Sequence, residues 1–363
     1  MRHRRVFSSG LTVSIAAGAA ALVLSSLLTM VVGVSPIDAF RELWNGAFGT
    51  SYAVGVTFAK ALPLGFVALG FAVAFRSGVF NIGLEGQLYV GAFAGALVGW
   101  HLEAPAAVAL PVTLLSAAAG GALWALIPAV LKLVRNVNEL VVGLMLNYVA
   151  IFLVNYLIGG PVKDPSAIYP QTGEVRGAAR LPVLVSGTNI NAGVILILGA
   201  AVLVWFLLQR TVLGYEMKTV GASSRVARYS GISVRRTTLV AFVVSGALGG
   251  LAGAVEVLGN QFRLVENFSP GWGYTGIVVA LLGAAMVWGC LLAAFYFGIL
   301  GSGADHLQFR LGVPAAFVLI VQSLAVIFVL ASGWLHEQWL RRVSRRSAYD
   351  RPPDTTRSER FET

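Results

Sequence analysis

The stretch from Arg210 to Arg236 reads RTVLGYEMKTVGASSRVARYSGISVRR and lies between two apolar runs, Ala192 to Leu208 and Thr237 to Leu258. It carries five arginines and one lysine against a single glutamate. Hydrocarbon cannot accept so many charges, so the segment must lie in water. Since positive charge beside membrane spans marks the inner side, we predict that this basic loop faces inward.

The middle of the basic loop predicts a helix of about two turns. Ser223 or Ser224 can accept hydrogen bonds from the free N–H groups at its start, and Gly231 suits the left-handed residue that ends it. Val226 and Tyr229 are three residues apart and would share a face. A second, charged face would carry two arginines, Arg225 and Arg228. Such a helix can dock into a cleft of another protein, or it can lie in solvent as a basic anchor for lipid headgroups.

The composition is that of a polytopic membrane protein. Of 363 residues, 57% are hydrophobic and 12% charged, with a mean hydropathy of +0.79, which is too apolar for a soluble chain of this size. The net charge of +10 clusters at the ends of apolar runs, so topology explains it better than nucleic-acid binding does. Cys290 is the only cysteine, which excludes an internal disulfide and a cysteine-rich metal site.

Apolar runs near the length that crosses about 30 Å of hydrocarbon predict an all-α fold of about ten transmembrane helices. The predicted spans are 11–34, 54–75, 80–100, 105–133, 137–158, 191–208, 237–258, two short helices within 274–303, and 314–335. Residues 36–49 place aromatic side chains at four-residue spacing among charges, which is typical of an interfacial amphipathic helix. The run 274–303 is too long for one upright helix, and Trp288 and Gly289 are the expected break.

Ten spans with both termini inside place most of the 26 lysines and arginines on the inner side, as the charge rule requires. We therefore predict one transmembrane domain, 1–340, followed by a disordered cytoplasmic tail, 341–363. Lys60 lies within the second span and is expected to extend its ammonium group to the nearer surface. Glu256 is expected at the interface, in the last turn of the seventh span.

Motifs for catalysis are missing from the sequence. No lysine follows a glycine, so the phosphate-binding pattern GxxxxGK[ST] is absent, and any ATP must bind to another subunit. The four histidines are scattered and HExxH is absent, so no zinc site is expected. We predict no catalytic residue, no metal site and no cofactor in this chain.

The most distinctive polar segment is FNIGLEGQ, from Phe80 to Gln87, at the inner edge of the third span. Asn81, Glu85 and Gln87 can either hydrogen-bond between spans or contact a transported substrate. The same alternatives apply to two asparagines of the fifth span, Asn147 and Asn155. These five residues are our candidates for a substrate pathway.

Four blocks, taken in order, carry a family resemblance. They are FNIGLEGQ at 80–87, NELVVGLMLNYVA at 138–150, VGASSRVARYSGI at 220–232 and GWGYTGIVVALLG at 271–283. Together they resemble the inner-membrane permeases of bacterial ABC importers for nucleosides and simple sugars. The first two blocks are similar to the nucleoside branch, which depends on basic membrane lipoproteins, and the IDLSVG-like stretch of ribose-type permeases is not found.

The resemblance implies a type II ABC importer fold in which the basic loop 210–236 forms a coupling helix that docks in an ATPase. The implied coupling residues are Gly221, Ser223, Arg225, Ala227, Arg228, Tyr229, Gly231 and Ile232. It also implies a bacterial inner-membrane location, with ATP and Mg on the ATP-binding cassette partner. The other implied partners are a second permease subunit of the same kind, a substrate-binding lipoprotein and membrane lipid, without nucleic acid.

Some residues depart from the family pattern, and other functions stay open. Ser223 stands where asparagine is frequent, Val226 replaces an alanine, and the AMVWG stretch at 285–289 lacks the usual proline. The first alternative is an ABC permease for a simple sugar such as ribose or galactose. The second is an ion-coupled secondary carrier, which needs acidic groups at mid-depth, whereas Glu139 and Glu256 lie near span ends.

Overall fold

The computed structural model describes residues 33–313, together with the single positions Met30, Ile320, Ser323 and Ile327. Eleven α-helices lie in this part of the chain: α1 (Pro36–Phe48), α2 (Ser51–Arg76), α3 (Leu84–His101), α4 (Ala106–Arg135), α5 (Glu139–Gly159), α6 (Gly193–Arg210), α7 (Val212–Ala222), α8 (Ser224–Tyr229), α9 (Val234–Glu256), α10 (Trp272–Leu282) and α11 (Val287–Leu311). The only strand-like pairing in the described residues is two isolated bridges. The predicted all-α class is confirmed for these residues.

Six helices of the described residues are long and apolar enough to cross a membrane: α2, α4, α5, α6, α9 with its extension to Gln261, and α11. The predicted total of about ten is not confirmed. Helix α3, which has 18 residues and carries Glu85, is not among these six helices. Helix α10 has 11 residues, which is about 16 Å of helix and too short to span hydrocarbon. The predicted spans 11–34 and 314–335 lie outside the described residues except at a few positions, and the predicted tail 341–363 lies wholly outside them.

The larger compact unit of the chain runs from Arg41 to Ala315. Within the larger unit, α2 lies at the centre, since 83% of its apolar window is buried against 28% for α4 and α5. It packs against α9, α10 and α11. The helices α4, α5 and α6 are peripheral and present much of their apolar surface outward.

Helix α9 packs closely on α3 and α4 through its glycines. A Cβ atom at Gly250 would lie 2.1 Å from the Ala117 carbonyl oxygen, and one at Gly253 would lie 2.3 Å from that of Leu88. No side chain fits at such distances, so glycine is what allows these backbones to touch.

The apolar run after 271 is broken into two helices, as predicted, but only α10 is short, since α11 has 25 residues. The break also precedes the expected position at Trp288 and Gly289. It lies at residues 283–286, where Ala284 and Ala285 adopt the left-handed conformation with φ of 52° and 49°. Left-handed backbone ends an α-helix. A proline is therefore not needed for the break.

The structure also changes two expectations about charged residues. Glu256 is buried rather than interfacial, because α9 continues as a π-helical turn, Val257–Gln261. Its carboxylate accepts hydrogen bonds from Asn260 at 2.8 Å and Gln261 at 3.0 Å. Lys60 forms an ion pair with Asp305 of α11. Its positive charge is therefore compensated by a carboxylate of the protein, and not only by solvent at the nearer surface.

Candidate functional site

The basic loop folds into two helices where one was predicted. Helix α7 begins after Thr211, whose hydroxyl accepts a hydrogen bond from the Gly214 N–H at 3.1 Å. Helix α8 begins after Ser223, whose hydroxyl accepts from the Val226 N–H at 3.4 Å, which confirms Ser223 as the cap. Gly231 has a φ of 76° and, as predicted, is the left-handed residue that follows α8.

Helix α8 turns one small side chain inward and an apolar face outward. Ala227 is fully buried, whereas Val226 is 55% and Tyr229 87% exposed. The guanidinium-bearing residues Arg225 and Arg228 are exposed as well. An ordered helix that presents a tyrosine beside a valine and two arginines is typical of a protein contact, because aromatic side chains and arginine contribute most of the energy at such contacts.

Helix α7 touches the turn that follows α2 through the backbone of Gly221. A Cβ atom at Gly221 would lie 2.3 Å from the Arg76 carbonyl oxygen and 3.0 Å from the Gly78 nitrogen. Gly78 itself has a φ of 74°. The end of α7 is therefore packed directly on the turn at 76–78.

We predict that Gly221→Ala lowers the thermal stability of the purified protein. The added methyl group must push the Arg76 backbone away, and overpacking of this kind costs about 1–3 kcal/mol. Gly199→Ala in α6 is the matched control, because a Cβ there meets nothing within 4 Å and alanine favours helix. The measurement is the unfolding temperature in detergent; an equal temperature for Gly221→Ala and Gly199→Ala would contradict the close contact.

The same turn is tied to the break between α10 and α11. The Arg76 Nε donates a hydrogen bond to the Ala285 carbonyl oxygen at 3.2 Å. Lys218 of α7 donates to Gln209 at 2.8 Å, and its pKa is lowered by burial and by the nearby charge of Arg76. Arg76 thus lies between the basic loop and the left-handed residues that end α10.

A cavity of about 810 Å³ lies beside α7 and α8, bounded by the turn at 77–79 and the end of α4. Three cationic residues line it, Lys132, Arg228 and Arg235, and no acidic residue does. Lys132 forms an ion pair with Glu139. The cavity therefore presents net positive charge next to the exposed face of α8.

The polar residues of FNIGLEGQ form a hydrogen-bonded group before α3. The Asn81 side chain donates to Gln87 Oε1 and to the Ser245 hydroxyl, both at 2.9 Å. Gln87 Nε2 donates back to Asn81 Oδ1 at 3.1 Å. All three side chains are buried, so this group connects the segment before α3 to the middle of α9.

Glu85 caps the N-terminal end of α10. Its carboxylate accepts hydrogen bonds from the Ser269 hydroxyl at 2.7 Å and from the Gly273 N–H. The Ser269 hydroxyl in turn accepts from the N–H groups of Gly271 and Trp272. The first N–H groups of a helix need acceptors, and its dipole favours negative charge there. This buried carboxylate therefore has a structural partner at α10.

Asn147 connects α5 to both α3 and α10. Its side-chain oxygen accepts from the Gly86 N–H at 2.8 Å, and its amide donates to the Ile82 carbonyl at 3.0 Å and to the Tyr274 hydroxyl at 3.2 Å. Asn155 lies two turns further along α5, and its amide donates to Asn267 Oδ1 at 2.9 Å.

The fold thus brings Asn81, Glu85, Gln87 and Asn147 around one polar segment and leaves Asn155 apart. Four partners were not expected from the sequence: Ser245, Ser269, Tyr274 and Asn267. A serine in a glycine-rich helix and a tyrosine in the block 271–283 are the only signals that could have indicated them. No group of three or more potential metal ligands occurs among the described residues.

The chain is similar to known proteins over most of its length. Residues 53–330 match the family model described as "Branched-chain amino acid transport system / permease component". A guanosine ABC transporter permease protein of Bacillus subtilis, NupP, is 39% identical over 86% of this chain and 90% of its own length. A glucose ABC transporter permease protein of Haloferax volcanii, TsgB13, is 33% identical over 93% of this chain and 91% of its own length. A nucleoside ABC transporter permease protein of Lactococcus lactis, NupB, is 30% identical over 87% and 89%. No solved structure is significantly similar to this chain.

Proposed function

We propose, because this chain belongs to the family of branched-chain amino acid transport system permease components, that it is the membrane-spanning subunit of an ATP-driven importer for nucleosides. The observation that carries the proposal is the 39% identity to a guanosine permease over 86% of this chain. The third of the relatives above is a nucleoside permease as well. Within this proposal the chain moves its substrate and forms no covalent bond with it.

A sugar is the second candidate cargo. The glucose permease of Haloferax volcanii is 33% identical over 93% of this chain. The chain is therefore also similar to a permease whose substrate has no aromatic base. The nucleoside is preferred because the guanosine permease is more similar. An ion-coupled secondary carrier has no support among these relatives, all of which are ABC permeases.

Membership of this family supports three proposed partners. ATP and Mg bind to an ATP-binding cassette subunit, a second permease subunit completes the pathway, and a substrate-binding lipoprotein delivers the nucleoside from outside. The chain lies in the bacterial inner membrane with both termini in the cytoplasm, so that the basic loop 210–236 faces the ATPase. The positive-inside rule supports this orientation.

Coupling runs through helix α8. Its exposed Tyr229 and Val226 fit a cleft of the ATPase, and its arginines fit acidic residues there. A displacement of α8 and α7 reaches the turn at 76–78 through Gly221, and Arg76 carries it to Ala285. The break between α10 and α11 is the element that would change, since left-handed residues at a helix end form a natural hinge.

The candidate pathway residues Asn81, Glu85, Gln87, Asn147 and Asn155 keep that role as part of the proposal. In this conformation their polar groups bond to one another and to neighbouring helices. A hydroxylated substrate can exchange with such bonds at little net cost, because one hydrogen bond replaces another. Opening of the pathway would then involve separation of α3, α5 and α10.

The test is uptake by the whole complex, purified through a tag on this chain and placed in lipid vesicles. We expect guanosine uptake that needs ATP hydrolysis on the cytoplasmic side and that persists when a protonophore removes the proton gradient. Glucose is measured in parallel. Uptake of glucose but not of guanosine would show that the cargo is a sugar. Uptake that depends on the proton gradient and not on ATP would contradict the proposal of an ATP-driven importer.

A further inference from the structure

The outward surface of α5 differs from that of its peripheral neighbours. The most exposed side chains in the spanning part of α4 are Leu115 and Leu123, and those of α6 include Leu203 and Phe206. None of these can form a hydrogen bond, as expected for residues that face lipid tails. On α5 the exposed stripe contains Met145, Tyr148, Phe152 and Tyr156.

Tyr148 is the residue that lipid does not explain. It is the tenth of the 21 residues of α5, about 14 Å along the helix axis, and therefore lies near mid-depth. Its side chain is 53% exposed, and its hydroxyl makes no hydrogen bond with any residue that the structure describes. A hydroxyl without a partner in hydrocarbon costs several kcal/mol. The exposure of Tyr156 is explained by its place near a helix end, where tyrosines contact lipid headgroups.

A second hydroxyl is bound by the residue that precedes Tyr148. The Tyr274 hydroxyl accepts a hydrogen bond from Asn147, and its own proton has no acceptor within residues 33–313. Asn147 directly precedes Tyr148 in α5, so the residue that binds the Tyr274 hydroxyl adjoins the exposed tyrosine. Adjacent residues of α5 near mid-depth therefore account for two phenol hydroxyls: Tyr148 carries one, and Asn147 binds the other, which belongs to the first turn of α10.

We infer that Tyr148 and Tyr274 form the subsite that holds the base of a nucleoside as it crosses the membrane, and that Asn147 positions Tyr274. The inference rests on the proposed function and names the part of the substrate that this surface recognises. A planar heterocycle can stack on the ring of Tyr148 and present the donors and acceptors of its edge to the two hydroxyls. An acyl chain would leave both hydroxyls unpaired.

The test compares three variants in the vesicle assay with labelled guanosine. Stacking of a base on an aromatic ring contributes about 1–3 kcal/mol, so Tyr148→Leu should lower uptake per complex by about 5- to 150-fold. Tyr148→Phe keeps the ring and should lose less than Tyr148→Leu, with an altered preference between guanosine and adenosine. Phe206→Leu, a 54% exposed aromatic on α6, is the matched control and should transport normally.

Each outcome has one meaning. Tyr148→Leu equal to Phe206→Leu, in a complex that carries guanosine, overturns the subsite alone. Loss of the second permease subunit on purification of Tyr148→Leu, with normal uptake in what remains assembled, assigns this face to a subunit contact and also overturns it. If the unaltered complex carries no nucleoside, the proposed function fails and the subsite fails with it.

Discussion

Simultaneous replacement of Tyr229 and Arg225 by alanine is expected to abolish ATP-driven uptake while the complex still inserts in the membrane. Both side chains are exposed on α8, whereas the residues that hold the helix, Ser223 and Ala227, stay unchanged. Buried tyrosine and arginine contacts contribute about 2–4 kcal/mol to protein interfaces. Docking of the ATPase should therefore weaken by about 30- to 900-fold.

The measurement is substrate uptake together with ATP hydrolysis and the amount of ATPase retained on purification. The conservative pair Tyr229→Phe and Arg225→Lys keeps a ring and a positive charge and should recover most of the uptake. The thermal unfolding temperature of the double alanine variant should equal that of the unaltered protein, because neither side chain is buried. Unchanged uptake would remove α8 from the docking role.

Replacement of Glu85 by alanine is expected to destabilise the protein strongly. The Ser269 hydroxyl and the Gly273 N–H lose their acceptor in a buried environment, and each lost bond to a charged group costs about 1.5–3 kcal/mol. Glu85→Gln retains one acceptor oxygen and should cost about half as much. We expect a lower unfolding temperature in detergent in the order unaltered, Glu85→Gln, Glu85→Ala.

The control for this series is Glu103→Gln. Glu103 is paired with Arg176 at the surface, and its side chain is 75% exposed, so loss of its charge should change stability by less than about 1 kcal/mol. Equal unfolding temperatures for Glu85→Ala and Glu103→Gln would show that Glu85 does not hold the start of α10. A Glu85 variant with normal stability and lost uptake would instead favour a direct role in the pathway.

In the basic loop, local sequence predicted some features of the structure and missed one helix. A serine cap at 223 or 224, the left-handed Gly231 and a face shared by Val226 and Tyr229 were predicted, because each depends only on residues within one or two turns. Helix α7 was missed, since its residues are neither periodic nor strongly apolar. It is held by contacts to α6, which directly precedes it, and to the turn at 76–78, which is remote in sequence.

For the polar candidate residues of the pathway, the sequence identified the residues but not their hydrogen-bond partners. Asn81, Glu85 and Asn147 could be identified as unusual in apolar spans, but their partners Ser245, Ser269 and Tyr274 are 127 to 184 residues away. The sequence left two interpretations open for these residues. The structure shows the hydrogen bonds that these side chains form. Mutation of each residue, followed by measurement of both stability and uptake, distinguishes a role in helix packing from contact with the substrate.

The amino-acid sequence by itself determined the membrane class, most of the described helices and the family, because hydrocarbon imposes length, hydropathy and charge rules that act on each segment independently. The tertiary structure decided which polar groups meet, that Glu256 is buried and that Tyr148 faces outward. Those outcomes depend on how helices far apart in the chain pack side by side, and no local pattern encodes that arrangement.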